Sequence, residues 1–138
     1  MAEADMEILL PEKRRDFGQL QEQTAARFLA AAGLELLMQN FSCRAGEIDL
    51  IMREERTLVF VEVRFRRSSR YGTATETVDR RKQRKLVKAA SYFLSSRRIN
   101  SAACRFDIVG LTPAQRGDTG YDPVSGLRID WLRNAFGC

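Results

Sequence analysis

The chain has 138 residues, of which 44% are hydrophobic and 30% charged, with a formal net charge of +5 and no histidine. This length and this balance are those of one globular domain with a single core. The absence of histidine excludes Ser/His/Asp triads, Cys/His dyads and histidine-ligated zinc, so acid–base chemistry must come from carboxylates, lysines or metal-bound water.

The N-terminal stretch carries no helical or strand periodicity over residues 1–15, which predicts a loose arm before a single domain spanning 16–138. Acids precede a very short apolar patch there, with no small-residue cleavage pattern and no membrane-length apolar run. The three cysteines are odd in number and widely spaced, which argues against a disulfide framework or a CxxC metal site. We therefore predict a protein of the reducing cytoplasm, without signal peptide or membrane span.

A first helix is predicted to begin at Asp16, as its N-cap, and to end at Gly33. The core stripe at helical spacing would be Phe17, Leu20, Thr24, Phe28 and Ala31. Glu22 lies on the neighbouring stripe, at the edge of the buried side. An isolated acid there is usually a surface residue, so Glu22 becomes a site candidate only if this edge covers the acids of the following hairpin.

Three β-type segments follow this helix. A strand over 34–41 and a turn over 40–45 lead into two apolar runs, 48–52 and 58–65. A short polar connection separates these two runs, and this pattern predicts a hairpin.

The hairpin brings two acids together. With a four-residue connection over 54–57, Arg53 pairs with Leu58, and counting back places Asp49 directly opposite Glu62. Opposed carboxylates repel, and a divalent cation such as Mg²⁺ is the natural partner for their oxygens. The alternative is that both acids are solvated on an open face of the sheet. Because the apolar Leu58 shares the face of Glu62, the pattern favours the metal site.

The second half of the chain predicts a loop over 67–77, a helix over 78–96, a strand over 104–111, a loop over 113–126 and a short strand over 127–131 before a polar tail. The core side of this second helix would carry Leu86, Ala89, Ala90, Phe93 and Leu94. The order αβββαβ, with a short extra element, predicts an α/β domain with a mixed sheet.

Positive charge is concentrated at 64–70 and 79–85, which suggests a polyanionic partner. Arg80, Arg81 and Lys82 fall in the first turn of the second helix, where each cation opposes the helix dipole at a cost of about 0.3–1 kcal/mol. A phosphate backbone at this helix start would turn that cost into binding. The alternative is a solvated basic face.

Several segments together resemble the YraN-type family of bacterial predicted endonucleases. They are GEIDLI at 46–51, VFVEVRFR at 59–66, Tyr71-Gly72, KQRKL at 82–86, RFDIVGL at 105–111 and NAF at 134–136, with Gly18 and Glu22 in the first helix. That family is similar in turn to the archaeal Holliday junction resolvases and the PD-(D/E)xK nuclease superfamily. The resemblance covers roughly 17–136 and implies a restriction-endonuclease-like core, with a mixed central sheet flanked by helices.

The resemblance also implies roles. Asp49 would be the first metal-binding acid, Glu62 the acid of the (D/E)xK element, and Glu22 the helix acid that completes the metal site. Arg64 stands where the superfamily has its lysine. Arginine keeps its proton in proteins, so Arg64 cannot take a proton from water, although it can hold water or phosphate by charge-assisted hydrogen bonds. Lys82 is a candidate for a displaced lysine.

The resulting hypothesis is Mg²⁺- or Mn²⁺-dependent hydrolysis of a DNA phosphodiester bond. The metal ligands would be Glu22, Asp49, Glu62 and the carbonyl of Val63, with Arg64 orienting a nonbridging oxygen. Phosphate contacts are predicted for Arg66, Lys82, Arg84 and Lys85, and such contacts carry no base information. The resemblance implies a preference for DNA structure, such as branched or single-stranded DNA, a role in repair or recombination, and a homodimer.

Two other classes of function remain open. The first is a nucleic-acid-binding module that keeps the fold and lacks the chemistry, which agrees with Arg64 and with the missing histidine. The second is a protein-interaction domain with an incidental basic surface, which would have no salt-dependent affinity for DNA.

Overall fold

The computed structural model describes residues 13–68, 75–100, 102–115 and 117–137. The elements in chain order are α1 (Lys13–Ala31), β1 (Glu35–Cys43), β2 (Gly46–Glu54), β3 (Thr57–Phe65), a 3₁₀ turn (Thr75–Thr77), α2 (Arg80–Ser96), β4 (Ala103–Pro113), β5 (Tyr121–Asp122) and β6 (Leu127–Phe136). The predicted loose arm over 1–15 lies mostly outside the described residues, and its last three residues belong to α1.

The strands form one sheet in the order β1-β2-β3-β4-β6-β5. β3 and β4 are parallel, and every other neighbouring pair is antiparallel, which confirms the predicted mixed sheet. Parallel neighbours need a crossover connection, and α2 supplies it between β3 and β4.

The two helices cover opposite faces of the sheet, so both faces are buried. On the α2 face the core includes Ile48, Ile51, Leu58, Phe60, Leu86, Ala89, Ala90, Phe93, Phe106 and Ile108. On the α1 face it includes Ala25, Leu29, Leu50, Met52, Val59, Val61, Val109 and Leu111. Neither helix in the described ranges is both long and apolar enough to cross a membrane.

The first helix begins earlier than predicted. α1 starts at Lys13, so the assignment of Asp16 as N-cap is wrong. The predicted end is confirmed, because Gly33 has φ +107°, in the region that only glycine adopts easily, and the next N–H returns to the Leu29 carbonyl at 3.0 Å.

The buried side of α1 is also rotated from the predicted stripe. Thr24, Ala25 and Leu29 are buried, whereas Leu20 is 54% exposed. Residues three, four and seven apart lie on one helix face, so Glu22 belongs to the side that faces the sheet.

The predicted hairpin register is confirmed next to the turn. Arg53 pairs with Leu58 as predicted, and Glu54 pairs with Thr57, so the connection is a tighter two-residue turn. Glu55 occupies this turn with φ +55°, the left-handed conformation that such hairpins require.

The second helix follows the predicted core stripe, with Leu86, Ala89, Ala90 and Phe93 buried. Its N-cap is Asp79, whose carboxylate accepts the Lys82 N–H at 2.9 Å. This cap satisfies one of the free amides of a first turn that contains three cations and no acid.

The last strand is twice as long as predicted, because β6 extends through the segment expected to be a polar tail. The β4–β6 register shifts between Phe106 and Ile108, and Asn134 adopts φ +51° opposite this irregularity. The Asn134 N–H donates to the carboxylate of Asp107 at 2.9 Å, so a side chain replaces the missing backbone pairing.

The Asp107 carboxylate is fully buried and receives four hydrogen bonds. The Arg105 guanidinium donates to both oxygens at 3.0 and 3.2 Å, the Trp131 indole donates at 2.9 Å, and the backbone of Asn134 supplies the fourth. Arg105 also contacts Glu54 at 2.7 Å, which ties β4 to the β2–β3 hairpin. Asp107 is therefore a structural acid that joins β4, β6 and the hairpin.

We expect Asp107→Ala to lower the free energy of unfolding by about 3–5 kcal/mol, because it leaves the largely buried Arg105 with Glu54 alone as its acid partner and two further donors unpaired. Urea denaturation measures this loss. The matched control is Asp130→Ala, which removes an exposed pair with Arg128 and should change stability by no more than about 1 kcal/mol. Equal effects for the two variants would contradict a structural role for Asp107.

Candidate metal-binding and catalytic site

The candidate site lies where β2 and β3 separate. Their antiparallel ladder ends at the pair Leu50–Val61, with no further pair along this described hairpin. Beyond it, residues 46–48 stay paired with β1, whereas residues 62–65 stay paired with β4. The sheet therefore forks after this pair, and the opening is bordered by both strands.

We call this opening between β2 and β3 the fork. Asp49 and Glu62 lie in it, because they are the next residues on the two strands after the pair Leu50–Val61. The predicted direct cross-strand pair is not formed. Instead, the Asp49 carboxylate accepts the Val63 N–H at 2.8 Å and takes the place of a backbone acceptor. Because the ladder is open here, the Asp49 side chain occupies the gap between the strands and reaches acids on both sides of the sheet.

Glu62 faces α2 from inside the protein, with 5% of its side chain exposed. Two cations flank it, since the Lys82 Nζ lies 3.6 Å and the Arg64 Nε 3.5 Å from its Oε2 atom. Burial and, after it, the charge of Asp49 raise the pKa of Glu62 to about 7, although Lys82 and Arg64 oppose this shift. The two cations therefore do not cancel the effect of burial and of the neighbouring acid.

Glu22 approaches Asp49 from α1, on the opposite face. Burial and, after it, the charge of Asp49 raise the pKa of Glu22 to about 7, against a hydrogen bond with the Asn40 side chain that lowers it. Burial likewise raises the pKa of Asp49, against the Val63 N–H and the charge of Lys82. The sequence predicts Glu22 as a site residue only if its edge of α1 covers the acids of the hairpin. The structure fulfils this condition, because Glu22 lies beside Asp49.

The three carboxyls form a chain with Asp49 in the middle. The charge of Asp49 raises the pKa of both glutamates, whereas neither glutamate is among the main causes of the pKa shift of the other. Accordingly, no group of three acidic, cysteine or histidine side chains in the described ranges forms a complete metal-binding cluster. The donor set suits Mg²⁺, which is bound by one or two carboxylates and takes its other ligands from water and phosphate.

Arg64 is held beside the fork by the Thr77 carbonyl, to which its Nη2 donates at 3.4 Å. Its Nε atom is buried and makes no hydrogen bond within the described structure. The Glu62 Oε2 atom lies 3.5 Å from it, within the range of an ion pair but too far for a good hydrogen bond, so an anionic oxygen that enters the site would compete with Glu62 for this donor.

The predicted phosphate contacts divide into two groups. Lys82 points into the carboxylate site, whereas Arg84 and Lys85 are exposed on α2. Arg66 follows β3, and its N–H donates to the Leu111 carbonyl at 3.0 Å. The structure therefore brings together Glu22, Asp49, Glu62, Val63, Arg64 and Lys82, and leaves Arg66, Arg84 and Lys85 outside this group.

Asn40 is a residue of this site that the sequence did not indicate. It lies on the edge strand β1 with φ +54°, and its side chain hydrogen-bonds to Glu22. Asparagine tolerates this left-handed conformation better than most residues, which is the one local signal for its position. Its link to a helix acid depends on tertiary packing and leaves no pattern in the chain.

The sequence model of one protein family, described as "Uncharacterised protein family UPF0102", matches residues 21–111, which include every residue that the fork brings together. The chain belongs to this family. A UPF0102 protein of Nitrosococcus oceani is 42% identical over 127 residues, which cover 91% of this chain and 95% of the relative. A UPF0102 protein of Stutzerimonas stutzeri is 46% identical over 121 residues, covering 86% and 92% respectively. A UPF0102 protein of Aeromonas hydrophila is also 46% identical, covering 86% and 83%.

Proposed function

We propose that this UPF0102 protein is a metal-dependent endonuclease that hydrolyses DNA phosphodiester bonds on a restriction-endonuclease-like core. The observation that carries the proposal is the fork, where Asp49 meets Glu22 and Glu62 and both glutamates have a pKa raised to about 7. Two cations beside Glu62 leave this excess of negative charge in place. A divalent cation is the ligand whose charge matches it.

The metal would be Mg²⁺ or Mn²⁺, held by Asp49 and Glu62, with the Val63 carbonyl and Glu22 completing its surroundings. When bound, such an ion lowers the pKa of its water and neutralises charge on a phosphate. Asp49 is fixed for this role by the Val63 N–H, which leaves one of its oxygens free of a backbone donor. Asn40 restrains Glu22 in the same way from β1.

The two cations at Glu62 would divide the remaining work. Arg64 holds a nonbridging phosphate oxygen, using its buried Nε, which is ion-paired with Glu62 at 3.5 Å but makes no hydrogen bond in the described structure. Lys82 can exchange a proton with water and Arg64 cannot, because a guanidinium keeps its proton in proteins. Lys82 therefore takes the place of the superfamily lysine that is missing on β3.

We expect Lys82→Arg to keep the positive charge beside Glu62 and to retain DNA binding, while lowering the cleavage rate about 100-fold or more through loss of proton transfer. Arg64→Lys is the matched variant and should keep most of the activity. Single-turnover cleavage and binding titrations separate these effects. A Lys82→Arg enzyme that cleaves at the normal rate would remove Lys82 from the chemistry.

The direct test of the proposal uses labelled linear and branched DNA incubated with the purified protein in Mg²⁺, Mn²⁺ or EDTA. Cleavage that requires the metal and is lost in Asp49→Ala and Glu62→Ala, but is kept in Asp130→Ala, supports the endonuclease. Binding that persists in EDTA without cleavage under any condition favours the inactive nucleic-acid-binding module instead. That second candidate is favoured by one observation, the Arg64–Glu62 pair at the position of the superfamily lysine.

The cellular setting is part of the same proposal. Cys43 and Cys104 are not in a disulfide in the described structure, which suits a reducing cytoplasm. A role in DNA repair or recombination and a homodimeric state follow from the resemblance and stay predictions.

A further inference from the structure

A groove of about 580 Å³ lies between α2 and the end of β6, and none of the acids of the fork lines it. Arg80, Arg84 and Lys88 line it from the helix, and Val87 and Phe136 supply apolar surface between α2 and the end of β6. This volume is within the range of ligand-binding pockets, about 300–1,000 Å³.

The three cations form a regular row. They are four residues apart, so they lie on one side of the helix and span about 12 Å at 1.5 Å per residue. Across the described ranges, none of the three is paired with an acid. Like charges at this spacing repel each other, so a polyanion in the groove would turn a destabilising row into a favourable one.

The apolar side of the groove contains an aromatic ring. Phe136 stacks on Phe106 with ring centroids 4.8 Å apart and planes within 14°, which fixes the orientation of the ring that borders the groove. An aromatic ring beside a row of cations is the arrangement by which proteins bind single strands, with phosphates on the cations and a base on the ring.

We propose that this groove binds a single-stranded segment of DNA, with Arg80, Arg84 and Lys88 on successive phosphates and an unpaired base against Phe136. The inference rests on the proposed function for the choice of DNA, and it assigns to that function a substrate with an unpaired strand beside the cleaved bond. Arg80 at one end of the groove is two residues before Lys82 of the carboxylate site, so the two side chains are close along the axis of α2 but lie on different sides of the helix. A single strand would reach both by passing the N-terminal end of α2.

The ring of Phe136 favours a single strand over two other polyanions, duplex DNA and an acidic peptide. A paired base cannot present its face to Phe136, so duplex DNA would use the cations and leave the ring without a partner. An acidic peptide would use the cations in the same way and gain no stacking. The contribution of Phe136 therefore separates a single strand from both competitors.

The first experiment measures binding of the full chain to a fluorescent oligo(dT) strand in EDTA, as a function of salt. We expect the double variant Arg84→Gln/Lys88→Gln to lower the salt slope by about 1.4, because each single-strand phosphate contact contributes about 0.7. The control, Arg56→Gln/Arg98→Gln, removes two exposed cations outside the groove and should leave the slope unchanged. Equal slopes for the two double variants overturn the proposal.

The second experiment tests the ring. Phe136→Leu should weaken oligo(dT) binding about tenfold or more at an unchanged salt slope, and duplex DNA, oligo(U) RNA and poly-glutamate are compared under the same conditions. Because Phe136 also packs on Phe106, Phe136→Trp is made as well, and its added fluorescence should be quenched when oligo(dT) binds. Binding of oligo(dT) without quenching, or equal loss for duplex or poly-glutamate, overturns the proposal.

The outcome is distinct from that of the cleavage test, since both experiments are made without metal. If the protein binds oligo(dT) through the groove and never cleaves DNA, the groove proposal is supported and the endonuclease proposal is wrong. If the protein cleaves DNA with metal while the groove variants bind oligo(dT) normally, the endonuclease proposal is supported and the groove proposal is wrong.

Discussion

Asp49→Asn is expected to raise the thermal stability of the metal-free protein while it abolishes metal-dependent cleavage. The amide has nearly the shape of the carboxylate, and its oxygen can still accept the Val63 N–H. Its nitrogen can donate to the flanking carboxylates of Glu22 and Glu62, which in the wild-type protein repel a third charge. The substitution therefore removes the repulsion of Asp49 by Glu22 and by Glu62, and it adds N–H donors to a site that contains an excess of carboxylate acceptors.

The expected magnitudes differ greatly between the two effects. Relief of like-charge repulsion contributes up to about 1 kcal/mol, which corresponds to a rise in Tm of about 2–5 °C for a domain of this size. Cleavage should fall at least about 100-fold, because even the outer partners of metal ligands contribute 10- to 100-fold. A substitution that raises Tm and lowers the cleavage rate identifies an acid that serves function and destabilises the fold.

Asp49→Ala is the matched control for this prediction. It removes the same charge but leaves the Val63 N–H without its acceptor, a loss of about 1–3 kcal/mol, so it should abolish cleavage without the gain in Tm. Calorimetry in EDTA and single-turnover cleavage measure the two quantities. A fall in stability for Asp49→Asn that matches the fall for alanine would make Asp49 a structural residue.

The acids of this site were predictable because their positions follow from short-range rules. Strand alternation and the turn after Arg53 placed Asp49 and Glu62 near each other without knowledge of the rest of the sheet. The fork could not be predicted in this way. It depends on the competing partners of each strand, since β1 holds the start of β2 and β4 holds the end of β3.

The errors elsewhere have the same origin. The β6 segment was expected to end at residue 131 because its last residues are polar, but the buried carboxylate of Asp107 holds Asn134 in the sheet from another strand. Lys82 is a different case, because the sequence predicts it both as a phosphate contact in a basic run and as a displaced lysine of the site. Its reach to Glu62 depends on how α2 crosses β3. Composition identifies the charges, whereas tertiary packing decides which of them meet.

The stability of the metal-free protein is expected to fall as pH rises from about 4.5 to about 7, and Mg²⁺ is expected to reverse this fall. Glu22 and Glu62 have a pKa of about 7 in the folded protein, against 4.5 for an unperturbed glutamate. Between these values the folded state binds more protons than the unfolded chain, so the free energy of unfolding decreases with pH. Above pH 7 both states are ionised and the decrease ends.

Other shifted carboxyls act in a different pH range. Hydrogen bonds from Arg105 and Arg133 lower the pKa of Glu54, and those from Ser125 lower the pKa of Asp122. Their stabilisation is present above the unfolded pKa and is lost only as pH falls through the lower folded value. Among the described carboxyls, the change between pH 4.5 and 7 therefore reports on the fork.

A divalent cation binds the ionised carboxylates and competes with their protons, so Mg²⁺ should raise Tm at pH 8 and have little effect at pH 5. At 100 times its dissociation constant, a ligand that binds only the folded state adds about 2.7 kcal/mol, which is readily measured by scanning calorimetry. Asp49→Asn should lose this response, and NaCl at matched ionic strength should not produce it. An equal gain in Tm at both pH values would mean that Mg²⁺ acts elsewhere on the protein, because among the described carboxyls those of the fork release their protons in this pH range.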